Sequence, residues 1–173
     1  LTRPRVEALM QGHEVYLANL NAETQFVIAG RDEAMAEVAQ LALRAGASKA
    51  QRLAVSVPSH CALLDKPAAA LAKAFADVTL TRPQRAYLSG STARVLWDPQ
   101  RIADDLAMNM ARPVHWQEAM VAADERDARL AIEMPPGGVL TCLTRQAGWR
   151  GETIALERSG LDVARHLAQR LSD

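Results

Sequence analysis

The side chain best suited to acid–base chemistry is His60. It follows an alternating run of apolar residues, Leu53, Val55 and Val57, which predicts a β-strand that ends at Pro58. Ligands of open α/β sheets bind beyond the carboxyl ends of the strands, and an imidazole titrates near neutrality, as a general base must. The position also fits a histidine that only caps a helix or hydrogen-bonds a loop carbonyl, and position alone favours that second interpretation.

The sequence offers no evident nucleophile or metal site to accompany this histidine. The run Ser89–Thr92 has the composition of a nucleophile elbow but lacks its Gly-x-Ser-x-Gly spacing. Cys61 is adjacent to His60, but neighbouring side chains diverge, so we predict a core residue. Cys61 and Cys142 are too few for a disulfide scaffold, and no cluster has metal-ligand spacing. We therefore predict two reduced cysteines and no metal.

The elements that would position His60 form two patterns along the chain. Residues 1–58 have the order helix, strand, strand, helix, strand, whereas helices alternate with short strands from about residue 63, as in an α/β layer. We therefore predict the α/β fold class in two parts. The predicted helices cover residues 2–11, 32–45, 63–75, 98–110, 117–123, 139–145 and 161–171, and the predicted strands cover residues 16–21, 25–29, 53–57, 85–89, 130–133 and 153–156.

Composition excludes several classes of protein. The 173 residues are 49% hydrophobic, which allows a sizeable core, and 20 basic residues balance 20 acidic ones. This balance argues against a nucleic-acid or membrane-surface protein. No apolar run approaches the roughly 18–20 residues that span a bilayer. We expect a cytoplasmic protein, and a start at Leu1 rather than methionine suggests a fragment.

Five runs of residues, in order along the chain, resemble motifs of the malonyl-CoA:acyl-carrier-protein transacylases. Each run alone is a weak signal, but together they cover most of the chain in the order of that family. Pro135 departs from the family pattern, where glycine is usual. The five runs are Asn19–Asn21, Gln25–Gly30, Val55–Leu63, Asn109–Trp116 and Glu133–Thr141.

The resemblance implies a fold in which a ferredoxin-like domain is inserted into an α/β-hydrolase-like acyltransferase domain. Residues 1–58 would be the ferredoxin-like domain without its first strand, and residues 59–173 would be the carboxyl-terminal part of the larger domain. The nucleophilic serine, and the arginine that binds the malonyl carboxylate, would precede Leu1.

The resemblance also implies roles for individual residues. His60 matches the catalytic base, and the backbone carbonyl of Asn109 matches the group that orients its ring. Asn19 and Asn21 match contacts to CoA or the phosphopantetheine arm, and Lys49 matches a basic position near the CoA phosphates. Turn chemistry explains the asparagines equally well, and a solvated surface charge explains Lys49.

The implied reaction moves a malonyl group from CoA to the phosphopantetheine thiol of an acyl carrier protein, with the CoA thioester as substrate and no covalently bound cofactor. The partners would be the carrier protein, CoA and the amino-terminal portion with the serine. Leu20, Thr24 and the run Met134–Pro136 favour the transacylase subunit of malonate decarboxylase over the fatty-acid-synthesis enzyme. A third hypothesis is a non-catalytic module that binds an acidic carrier protein. It would use four basic residues, Arg31, Arg44, Lys49 and Arg52.

Overall fold

The computed structural model describes residues 1–172, and in this range the chain forms seven α-helices and six short strands. Two 3₁₀ turns, Ala62–Leu64 and Asn109–Ala111, precede α3 and follow α4. The elements in chain order are α1 (Arg3–Met10), β1 (Val15–Ala22), β2 (Gln25–Gly30), α2 (Asp32–Arg44), α3 (Asp65–Phe75), β3 (Tyr87–Leu88), β4 (Val95–Leu96), α4 (Pro99–Met108), α5 (Trp116–Asp124), β5 (Leu130–Glu133), α6 (Val139–Gln146), β6 (Glu152–Ala155) and α7 (Leu156–Ser172).

The first part of the chain is built on a β-hairpin. Strands β1 and β2 pair antiparallel from Val15 opposite Gly30 to Ala22 opposite Gln25. Glycine is needed at residue 30 because a Cβ atom there would lie 2.4 Å from the Glu14 carbonyl oxygen. Helix α2 packs on β2 and on α1, and it buries Val38. The predicted strands at residues 16–21 and 25–29 and both predicted helices of this part are confirmed.

The second part alternates helices with short strands, as the sequence predicts. Strands β3 and β4 form an antiparallel pair, and β5 and β6 form a parallel pair that α6 connects. Helix α4 begins with Pro99, and the Asp98 side chain caps it by accepting a hydrogen bond from the Arg101 amide at 2.8 Å. This mixed α/β architecture confirms the predicted fold class. The division into two domains at residue 58 stays a prediction.

The predicted strand at residues 53–57 does not form. Leu53, Val55 and Val57 are 52%, 59% and 51% exposed, and no partner strand lies beside them in the part of the chain described here. A strand needs a neighbour for its backbone hydrogen bonds, so alternation alone could not produce one. The last helix also begins at Leu156, earlier than predicted, with a non-helical break at Gly160, whose φ is 77°.

No helix within residues 1–172 combines the length and the apolar character needed to cross a membrane.

Candidate active site around His60

His60 has a backbone conformation that is unusual for its residue type. Its φ is 64°, in the left-handed region, which costs an L-residue about 1–2 kcal/mol. The His60 amide donates a hydrogen bond to the Met110 carbonyl at 2.7 Å, which offsets part of this cost. Strained backbone of this kind concentrates at functional sites. The conformation therefore supports a functional role for this loop.

The His60 ring is held by the end of α4. Its Nδ1 lies 2.9 Å from the carbonyl oxygen of Asn109, which also accepts a hydrogen bond from the Arg112 amide at 3.2 Å. A carbonyl oxygen can only accept, so Nδ1 must carry the proton of this hydrogen bond. The neutral ring then has its free lone pair on Nε2, which is the arrangement a general base needs.

Cys61 fixes the other side of the same loop. It is 3% exposed, packs with Ala18 and Ala29 of the hairpin, and donates from Sγ to the Pro58 carbonyl at 3.2 Å. The prediction that Cys61 is a core residue is confirmed. Cys142 is exposed, and both cysteines are free thiols. The loop of His60 is thus anchored on the hairpin through Cys61 and on α4 through the ring.

The two asparagines predicted to contact the CoA arm lie on β1, beside the segment that follows Asn109. Asn19 pairs with Val114 in an isolated parallel bridge. The Leu20 amide donates to the Val114 carbonyl and the Val114 amide donates to the Ala18 carbonyl, both at 2.8 Å. Asn19 is half-buried and Asn21 is buried. The structure therefore connects β1 to the Asn109 segment through backbone hydrogen bonds.

Lys49, the predicted phosphate contact, differs from these residues in its surroundings. It is exposed in the irregular segment after α2, and in residues 1–172 no hydrogen bond or ion pair joins it to His60, Asn109, Asn19 or Asn21. Two of the basic residues of the carrier-binding hypothesis are in ion pairs, Arg31 with Glu14 at 3.1 Å and Arg52 with Asp32 at 2.8 Å. These pairs reduce the positive charge available to an acidic partner.

Glu133 has a structural role that the motif alone does not reveal. Its carboxylate ends β5 and accepts hydrogen bonds from the amides of Leu140 at 2.9 Å and Thr141 at 2.7 Å, in the first turn of α6. Burial opposes ionisation of Glu133, but its contacts with Thr141 and with the amides at this helix end outweigh burial and lower its pKa. The sequence feature that could have predicted this role is a carboxylate just before the N-terminus of a helix.

The sequence also does not predict a buried polar cluster that lies beneath α4. Asp105 is 2% exposed and accepts hydrogen bonds from Tyr87 Oη at 2.7 Å, from Ser89 Oγ at 2.8 Å and from Ser91 Oγ. Burial, and then the hydrogen bond to Asp105, raise the pKa of the Tyr87 phenol well above its usual range. The sequence feature that could have predicted this cluster is an acidic residue on the buried face of α4. The other buried residues of that helix are Ile102, Ala103 and Ala107.

Neither a metal centre nor the groove between β4, α4 and α5 coincides with His60. No group of three histidine, cysteine, aspartate or glutamate side chains in residues 1–172 is arranged to hold a metal ion. A groove of about 590 Å³ lies between β4, α4 and α5 and is lined by both acidic and basic residues, among them Arg94, Arg101 and Glu118. His60 does not line this groove.

Comparison with known proteins finds similarity to malonyl transacylases. No protein-family model matches the chain. It is 34% identical over 140 residues to the malonyl CoA-acyl carrier protein transacylase of Salmonella typhimurium, an alignment covering 81% of this chain and 45% of that protein. It superposes on the transacylase of Coxiella burnetii with a TM-score of 0.90 and 27% identity, covering 100% of this chain and 55% of that one.

A third relative was solved with its partner. A malonyl-transacylase in complex with its type II PKS acyl-carrier protein matches with a TM-score of 0.83 and 31% identity, covering 90% of this chain and 52% of that one. The chain thus spans about half the length of the relatives it matches.

Proposed function

We infer that this chain is a member of the malonyl-CoA:acyl carrier protein transacylase family, an assignment that the homologues and solved structures support. The proposed function is transfer of a malonyl group from CoA to the phosphopantetheine thiol of an acyl carrier protein. In this proposal His60 is the base, and the nucleophilic serine lies outside the 173 residues. No serine, threonine or cysteine within residues 1–172 hydrogen-bonds to the His60 ring.

The observation that carries the proposal is the 2.9 Å hydrogen bond from His60 Nδ1 to the Asn109 carbonyl. In a serine, histidine and acid triad, a carboxylate accepts a hydrogen bond from Nδ1–H of the histidine and so fixes the tautomer. Here a neutral backbone carbonyl does so, as the resemblance implies. The Asn109 side chain has no part in the contact, so a different residue at position 109 could serve equally well.

In the first half-reaction, Nε2 of His60 takes the proton of the serine hydroxyl as its oxygen attacks the malonyl thioester carbonyl. The C–S bond breaks, the CoA thiolate receives that proton from the imidazolium, and a malonyl-serine ester remains. The Asn109 carbonyl stabilises the imidazolium that forms between the two proton transfers.

In the second half-reaction, Nε2 takes the proton of the phosphopantetheine thiol, whose sulfur attacks the malonyl-serine ester. The serine oxygen leaves and regains the proton from the imidazolium, so the enzyme returns to its starting state. A ping-pong sequence of this kind needs no bound cofactor. The carrier protein is the proposed partner, as it is for the related transacylase solved in complex.

We propose that Asn19 and Asn21 contact the pantetheine arm. The support is their position on β1, which is hydrogen-bonded through Val114 to the segment that holds His60. Lys49 stays a proposed contact for the CoA phosphates on the resemblance and on its exposure. A cytoplasmic location belongs to the same proposal, because both cysteines are free thiols.

Within the family, we propose the transacylase subunit of malonate decarboxylase rather than the fatty-acid-synthesis enzyme. The support is the resemblance at Leu20, Thr24 and the run Met134–Pro136. The test compares malonyl transfer to the carrier of each system. Faster transfer to the decarboxylase carrier is expected, and a strong preference for the fatty-acid carrier would reverse the assignment.

The direct test of the proposed function is His60→Ala in the full-length protein, with transfer of labelled malonyl from CoA to the carrier as the readout. Loss of a general base should lower kcat by about 10²- to 10⁴-fold. The matched control is His166→Ala, which alters an exposed histidine on α7 and should retain parental turnover. Near-normal turnover of the His60 variant would end the proposal.

A non-catalytic carrier-binding module is the alternative. It requires that Arg44→Ala and Lys49→Ala weaken binding of the carrier in a salt-dependent way. If the full-length His60→Ala protein keeps the parental rate while these two variants lose the carrier, the alternative replaces the enzymatic proposal.

A further inference from the structure

The carboxyl group of Asp105 is buried without any basic partner among its hydrogen bonds. It lies on the inner face of α4, and its three donors are the hydroxyls of Tyr87, Ser89 and Ser91. Burying a carboxyl group is costly unless hydrogen bonds replace water. Three donors meet that need, and a buried group so fully satisfied fixes the relative positions of the elements that carry it.

The donors belong to the β3–β4 hairpin, so the cluster ties that hairpin to α4. Ser89 is fully buried, and its Oγ also accepts a hydrogen bond from the Thr92 amide at 3.1 Å. Ser89 and Ser91 flank Gly90, whose carbonyl accepts a hydrogen bond from the His115 amide at 2.8 Å. The next residue back, Val114, is the one bonded to β1. One cluster therefore connects α4, the hairpin and the segment after Asn109.

Asp105 is also one helical turn before the group that holds His60. Residues four apart lie on the same face of a helix, and Asn109 is four residues after Asp105, where α4 passes into its 3₁₀ turn. The carbonyls of Asn109 and Met110 accept hydrogen bonds from the ring and the amide of His60. Any shift of this last turn moves both acceptors together.

We propose that Asp105 is a positioning residue for the transfer reaction. By holding the last turn of α4 against the β3–β4 hairpin, it sets the Asn109 carbonyl at hydrogen-bond distance from His60 Nδ1 and so selects the tautomer with a free Nε2. The catalytic importance of that tautomer rests on the proposed function. The effect of Asp105 on the position of the Asn109 carbonyl does not depend on it.

The test is Asp105→Asn in the full-length protein. An amide offers one acceptor oxygen where the carboxyl group accepts from three hydroxyls, so the cluster must rearrange. We expect the His60 ring, followed by long-range ¹H–¹⁵N correlation spectra, to lose part of its Nδ1–H population. We expect kcat for malonyl transfer to fall about 10- to 100-fold, while KM for malonyl-CoA stays near the parental value.

The matched control is Asp124→Asn, which removes a partly buried carboxylate that pairs with Arg150 at 2.7 Å at the far end of α5. It should lower stability and leave the His60 ring signals unchanged. If Asp105→Asn does not fold, Ser91→Ala removes a single donor and should cause a smaller change of His60 in the same direction.

The proposal is overturned if a folded Asp105→Asn protein, or Ser91→Ala in its place, keeps the parental tautomer and kcat. Titration of Tyr87 shows that the cluster has been altered, because removal of the Asp105 charge should let this tyrosine ionise at lower pH than in the parent. The proposed function fails separately, when His60→Ala transfers malonyl normally. A normal tautomer in the Asp105 variant leaves that function standing.

Discussion

The sequence predicts two strand-to-helix connections of similar pattern, and their structures differ. At residues 130–141, β5 is paired along its length with β6, and the buried Glu133 caps α6. At residues 53–65, the apolar side chains before His60 are exposed and no strand forms, yet His60 makes two hydrogen bonds to the end of α4.

The difference shows what fixes a functional side chain in each connection. Glu133 is placed by its own strand and by the helix that follows it, so local structure suffices. His60 is placed by tertiary contacts, because its ring and amide hydrogen-bond to the 3₁₀ turn after α4. The next residue, Cys61, packs against the β-hairpin. A loop can therefore hold a reactive group in a strained conformation when distant elements supply the hydrogen bonds.

The largest effect on stability is expected from Glu133→Ala, which leaves the amides of Leu140 and Thr141 without their acceptor. Urea unfolding should show a clear fall of the midpoint, and Glu133→Gln should lie between it and the parent. The matched control is Glu152→Ala on the neighbouring strand, which breaks only an exposed ion pair with Arg170 and should change little. Equal losses in the two alanine variants would contradict a capping role for Glu133.

Acid should weaken the Glu133 connection selectively. The pKa of Glu133 is lowered from its ordinary value of 4.5, so the unfolded chain binds the proton more tightly than the folded one. The stabilisation is complete above pH 4.5 and is lost as the pH falls through the lowered pKa. In urea unfolding at a series of pH values, the difference between parent and Glu133→Gln should shrink below that point. A difference that grows in acid would reverse the sign and refute this account.

A smaller effect on stability is expected from substitutions of His60. His60→Ala and His60→Gly both lose the Asn109 hydrogen bond, but glycine adopts a positive φ without steric cost. We expect the glycine variant to be more stable than the alanine variant by about 1 kcal/mol in urea unfolding, after the greater flexibility of unfolded glycine offsets part of the gain. An alanine variant of equal or greater stability would show that the left-handed conformation is not a source of strain.

The sequence predicted most of the fold because the helices and paired strands carry their own signals. The N-terminal cap of α4, the apolar stripe of α2 and the strand pattern of β5 are local, and these three elements formed as predicted. The strand at residues 53–57 failed for the opposite reason, since pairing depends on a neighbour that alternation cannot supply.

The candidate site divides in the same way. His60 could be selected by residue type and position, and the resemblance to the transacylases implied the role of Asn109. The left-handed conformation of His60 and the hydroxyl cluster around Asp105 depend on contacts between residues far apart in sequence. The periodicity of apolar residues in a sequence does not predict such contacts. Glu133 lay within a recognised motif, but only the fold shows that it caps α6.

The most direct test of the central claim is the tautomer of the His60 ring in the parental protein. Long-range ¹H–¹⁵N spectra, recorded at a pH where the ring is neutral, report which nitrogen carries the proton, and the exposed His166 provides an internal reference. The Asn109 hydrogen bond predicts a proton on Nδ1 of His60 and an unprotonated, basic Nε2. A His60 ring protonated mainly on Nε2 would contradict the account.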